Sequence, residues 1–149
     1  MIKIRTLTPQ FHQQNPNLKE VLHDKTRGYG IITVTVNNLT FGIPVRTNLK
    51  HHHSIVLDTI VKKGTTYKRG LDFTKAVVIT DSASQLGVTF HLDEKQLEKL
   101  HADGYKIKKK FIKYVNRYVE AVKNNTTNTI QGSAYKYSTL VNYHDELGI

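Results

Sequence analysis

Eight consecutive residues, Arg46 to His53, hold an arginine, a threonine, an asparagine, a lysine and three histidines. Moving a ribose 2′-oxygen onto its own neighbouring phosphodiester needs a base for the hydroxyl proton, cations or N–H donors for charge growing on phosphorus, and an acid for the departing 5′-oxygen. Arg46, Thr47, Lys50, His51 and His53 supply all three roles, with Asn48 and His52 beside them as further contacts to RNA. The same composition also forms plain solvated turns, so its weight depends on what the rest of the chain sets around it. The pair His51 and His53 has the H-x-H spacing of a zinc site. No third ligand stands at a recognisable spacing: His91, His101 and His144 are isolated, and Asp58 or Asp72 would have to be brought in by the fold. A metal-free, cofactor-free reaction is therefore the preferred reading.

The elements that position this segment begin with a hairpin. Ile32, Val34 and Val36 alternate with threonines, Asn37-Asn38 follows, and Leu39, Phe41, Ile43 and Val45 alternate again. Asparagine tolerates positive φ, so a two-residue turn there pairs Val36 with Leu39 and Val34 with Phe41, with the large apolar residues on one face. Pro44 lacks an N–H, which predicts that the second strand ends near it or lies at an edge, with Arg46–His53 in the exit. Before the hairpin, Ile2 to Leu7 reads as a short strand, and residues 10–27 as a polar loop with one helical turn near LKEVL. After it, Ile55–Val61 and AVVI at 76–79 predict two more strands separated by a basic turn, KKGTTYKRG. Asp93 with Gln96 resembles a capping box opening a helix to about Leu100, which Gly104 breaks. A longer helix over about Tyr105–Val122 carries Ile107, Phe111, Tyr114, Val115, Tyr118, Val119 and Val122 on one side. Lys106, Lys109, Lys110, Lys113 and Arg117 form a basic stripe elsewhere on it, and the segment SAYKYSTLVNYHDEL predicts a docking tail.

The 149 residues fit one domain, 1–149, and the 38% apolar content suffices for a modest core. There is no cysteine, which excludes disulfides, thiolate metal sites and thiol nucleophiles. Twenty-two Lys and Arg against twelve Asp and Glu give a net charge of +10, and a polyanion is the natural partner. Between residues 105 and 123 Glu120 is the one acid among seven basic residues, so internal salt bridging does not account for the stripe. No P-loop, dinucleotide fingerprint, HExxH, GxSxG or RNP1 pattern is present. The start, MIKIRTLTPQF, lacks the apolar run of a signal peptide and no later run reaches a membrane span, so the expected setting is the cytoplasm, without membrane attachment.

The order of four segments, KIRTLTPQF, RGYGIITVTVNNLTFGIPVRTN, GLDFTKAVVI and YKYSTLV, resembles the toxins of type III toxin–antitoxin systems, the ToxN/AbiQ family, most closely its TenpN-like branch. The resemblance spans most of the chain. It implies a compact α+β fold around a strongly bent antiparallel sheet with packed helices, related to the Kid/MazF toxins. It also implies a metal-independent, sequence-preferring endoribonuclease that cuts target RNA to a 2′,3′-cyclic phosphate, serves in phage defence, and is inhibited by an antitoxin RNA of repeated pseudoknots within a higher-order toxin–RNA assembly. Pro44-Val45-Arg46-Thr47 occupies the family's post-proline hydroxyl position, with Thr47 as the hydroxyl and Arg46 where a second one stands in the family. Lys50 or His51 matches the family's basic residue; Arg27, two positions before Tyr29 in RGYG, matches another, and Ser138 in YKYSTL matches a serine near the end. On this likeness Thr47 orients the 2′-hydroxyl, Arg46 and Arg27 hold the phosphate, Lys50 with His51 or His53 moves protons, and Tyr29 and Ser138 join the RNA contacts.

Overall fold

The computed structural model describes residues 4–22 and 29–149; Arg27 and the first residues of the expected opening strand lie outside them. Among the described residues the hairpin forms as its sequence requires. Strands β2 (Gly30–Val36) and β3 (Leu39–Arg46) pair Val36 with Leu39 and Val34 with Phe41. Asn37 and Asn38 carry φ of 53° and 64°, the left-handed pair of a tight turn. Threonines 33 and 35 face solvent, while Ile32, Val34, Val36, Phe41 and Ile43 enter the main core. Ile31 points to the other face, into a smaller cluster with Leu7, Phe11, Val77, Ile79 and Leu86.

β3 ends at Arg46, two residues beyond Pro44, near the proline as expected. It changes partners around Pro44: Thr40–Gly42 pair with β6 (Val77–Ile79), Val45 and Arg46 pair with β5 (Thr65–Asp72), and residues 43–44 fall in the gap between the two. A missing N–H is tolerated in such a gap. Arg46 is thus the last residue of a strand held on a frame.

The expected basic turn KKGTTYKRG is mostly strand. Only Lys63 and Gly64 turn, with φ of 51° and 78°, and β4 (Ser54–Lys62) then runs back along β5. Gly70 stands where three strands meet, opposite Arg46 on one side and Val56 on the other. A Cβ there would lie 2.0 Å from the Ile55 carbonyl oxygen, so only glycine allows this approach. With β1 (Arg5–Leu7) and β7 (Leu86–Thr89), all pairs being antiparallel, the sheet order is β4-β5-β3-β2-β1-β7, and β6 joins β3 off that path.

The early helical turn is α1 (Pro9–Gln14) and not LKEVL. Thr8 accepts the Phe11 N–H at 3.3 Å and Pro9 occupies the first helical position, a strong start signal. A four-residue turn, α2 (Ser82–Gln85), precedes β7. Helix α3 (Glu94–Ala102) starts at the expected box, with Gln96 Oε1 accepting the Asp93 N–H at 3.4 Å. The break falls at Asp103, and Gly104 is already the first residue of α4 (Gly104–Lys123). Ile107, Phe111, Tyr114, Val115, Tyr118 and Val119 bury as the 3.6-residue period demands. Phe111 sits edge-on to Phe41 and Phe73, at 5.4 and 5.3 Å between centroids. The tail, with α5 (Thr127–Ile130) and α6 (His144–Leu147), seals the core with Ala134, Tyr135, Leu140 and Tyr143. The molecule is α+β, and no helix among the described residues is long and apolar enough to cross a membrane.

Candidate active site

The exit of β3 is organised by one carboxylate. Asp72, at the end of β5, is 0% exposed and takes the Thr74 N–H at 2.9 Å, the Thr74 hydroxyl at 2.6 Å and Arg46 Nη1–H at 2.9 Å. His51 Nε2 stands 3.1 Å from Asp72 Oδ1, although off the line of a good hydrogen bond. A buried carboxylate without such partners would be costly, so Asp72 draws in both Arg46 and His51. His51 Nδ1 accepts the His53 N–H at 3.1 Å and therefore carries no proton, which places the ring proton of a neutral His51 on Nε2, toward Asp72. Both nitrogens of His51 are thus turned inward.

His52 is exposed, whereas its neighbour His53 is half-buried. Its ring stacks 5.7 Å from that of His51, lies 6.4 Å from Tyr114, and its Nε2 is 3.2 Å from Ser133 Oγ. Burial, then the neighbouring His51, Arg117, His52 and Lys110, lowers its pKa below 6.5, which keeps the ring neutral at neutral pH. Arg117 sits over the Tyr135 ring at 5.9 Å, and the Lys110 ammonium donates to the Ser54 carbonyl at 2.8 Å. His53 therefore stands among cations supplied by α4.

The basic stripe divides. On a helical wheel Lys106, Lys110, Lys113 and Arg117 fall within about 60° of one another, with Lys109 about 40° outside that sector. Lys106 and Lys110 line a cleft of about 330 Å³ with His51, His52, Ser54 and Lys68. Thr47, Asn48 and Lys50 are exposed in the loop between Arg46 and His51. Tyr29 is half-buried beside the smaller core, its hydroxyl donating to the Leu22 carbonyl at 3.0 Å. Ser138 is corrected by the structure: at 1% exposure it caps the turn at Thr139–Tyr143 and lies 3.0 Å from the buried Tyr114 hydroxyl, out of reach of RNA. Arg27 lies outside the described residues.

Sequence reasoning missed Asp72 as the organiser, Ser133 as the partner of His53, and Lys68 and Lys99 in the cleft. The D-x-T spacing of Asp72 and Thr74 is a local signal for an aspartate capping its own turn. Nothing in the sequence brings Ser133 to His53. Among the described residues no three His, Asp or Glu side chains group as a metal cage. No protein-family model, no curated protein and no solved structure matches this chain.

Proposed function

We propose that the chain is a metal-independent endoribonuclease of the ToxN/AbiQ kind, cutting target RNA to a 2′,3′-cyclic phosphate and restrained by a repeated pseudoknot RNA. On the same reading its sheet is the strongly bent one related to the Kid/MazF toxins, and it works in the cytoplasm within a toxin–RNA assembly. The observation that carries the reading is His53: a half-buried imidazole held neutral by burial and by the nearby charges of Arg117 and Lys110. Neutral His53 takes the 2′-hydroxyl proton as the oxygen attacks phosphorus. Lys110 and Arg117 face the charge growing on the phosphoryl oxygens. Thr47 orients the sugar and Lys50 gives a proton to the leaving 5′-oxygen. Arg46, hydrogen-bonded to Asp72, and His51, close beside that carboxylate, shape the loop that carries Thr47 and Lys50.

That inward turn of Arg46 and His51 also favours a second reading, a basic module that holds RNA without cutting it. Incubating the protein with end-labelled transcripts in EDTA separates the two. Cleavage to cyclic-phosphate ends is expected, and His53→Ala should slow single-turnover cleavage by at least about 10²-fold, with Thr47→Ala nearly as damaging. Tight binding without scission in EDTA would establish the module, and undiminished cleavage by His53→Ala would remove the role given to that ring.

A further inference from the structure

The cleft of about 330 Å³ lies against the start of β4 and the junction of α3 with α4. Four lysines line it: Lys68 from β5, Lys99 from α3, and Lys106 and Lys110 from α4. Its one acid, Asp103, is already held by Lys99 at 2.9 Å, four residues earlier on the chain. Lys110 is bound to the neutral Ser54 carbonyl, so no carboxylate in the lining balances Lys68, Lys106 or Lys110. Lys106 and Lys110 stand one turn apart, about 6 Å along the helix axis, and burial followed by the charge of Lys106 lowers the Lys110 pKa. An anion placed between them relieves that repulsion.

Two of the lining residues are apolar. They are Ile55 and Val56, and Val56, the third residue of β4, is 38% exposed between the buried Ile55 and Leu57. Lysines together with an exposed apolar residue in one cleft suit a ligand that is itself divided, with phosphate on one edge and sugar or base on the other. The volume is at the small end for binding pockets and holds a unit of nucleotide size, not a double helix. The cleft is also continuous with the candidate active site: His51 and Ser54 line it, His53 lies between them in the chain, and Lys110 reaches both.

We infer that this cleft is a subsite for a nucleotide of unpaired RNA next to the one at His53, its phosphodiester held by Lys68, Lys106 and Lys110 and its sugar or base resting on Val56. The cleft's place beside a reacting phosphate rests on the ribonuclease reading; its affinity for an unpaired strand does not. The strand runs along α4 from Arg117 past Lys110 to Lys106.

The test uses a fluorescent single-stranded RNA with every ribose 2′-O-methylated, so that no attacking hydroxyl exists, and measures anisotropy between about 50 and 200 mM salt. The double variant Lys68→Gln with Lys106→Gln should weaken binding about tenfold and reduce the slope of log affinity against log salt by about 1 to 1.5. Lys62→Gln with Lys63→Gln, the same charge change at the exposed β4–β5 turn, should weaken it less than about threefold and leave most of the slope. Equal losses from the two doubles would mean that only net charge matters and overturn the subsite. A duplex of the same length that loses as much as the single strand would overturn the assignment to unpaired RNA. If the wild type cuts no unmodified RNA yet shows these differences, the ribonuclease reading fails and the cleft stands. Cleavage with unchanged binding does the reverse.

Discussion

His53 and its neighbours make a pH dependence with a definite sign. The ring's pKa lies below 6.5 because burial and then the charges of His51, Arg117, His52 and Lys110 disfavour its cationic form. The base in the proposed reaction is the neutral ring, so the acid limb of single-turnover cleavage should have its midpoint below 6.5. Arg117→Gln removes one of those charges and should move the midpoint up toward 6.5. The same shift governs stability. The unfolded chain binds this proton at higher pH than the folded one, so the contribution of His53 is complete above about 6.5 and is lost as pH falls toward the folded pKa. NMR titration of the His53 ring in wild type and Arg117→Gln checks both directions without relying on activity. A midpoint at or above 6.5 in the wild type would contradict the placement of His53 among cations.

The frame that holds His53 is a junction of strands, and its most demanding residue is Gly70. Any side chain there drives a Cβ into the Ile55 carbonyl, which is backbone in the paired edge of β4 and not the yielding end of a side chain. Gly70→Ala should therefore cost about 2 kcal/mol or more in a urea melt. It should also reduce cleavage, because Ile55 follows Ser54, whose carbonyl seats Lys110. Stability equal to wild type would show that the junction yields at no cost. This glycine also marks the limit of what was legible. The hairpin, the capped α3 and the amphipathic α4 were readable because each repeats a signal over several residues: alternation about an Asn-Asn turn, a box with three-residue spacing, a period of 3.6. The sequence of β5 reads as a turn because its first five residues, Thr65 to Arg69, are polar and largely exposed, so no alternation appears. β7 and α2, four residues each, are too short to show a period. Within the site, the loop from Arg46 to His53 was visible by composition alone. That Arg46 and His51 turn inward was not, since it depends on Asp72, which lies 26 positions from Arg46 in the chain.

At the scale of the whole molecule the net charge of +10 acts on folding and on binding in opposite senses. Acids are engaged where they help most: Asp58 and Asp93 hold Arg69, which ties β4 to the start of α3, and the Asp58 carboxyl is kept below its usual range first by its hydrogen bond from that guanidinium. The outer face of α4 has no such relief, with Lys106, Lys109, Lys110, Lys113 and Arg117 all exposed on one helix. Self-repulsion of this kind destabilises the compact state and is screened by salt. Raising salt from about 20 to 200 mM should therefore raise the melting temperature, by about 3 °C if screening recovers about 1 kcal/mol in a chain of this size. On the proposed function, RNA affinity should fall over the same interval, because each lysine that neutralises a phosphate releases a counterion whose return salt favours. A thermal melt and a binding titration across one salt series test the pair. A melting temperature that falls with salt would mean that bridges such as Arg69–Asp58 outweigh the repulsion, and the unrelieved charge of α4 would then lose its role as the force that makes a polyanion the partner.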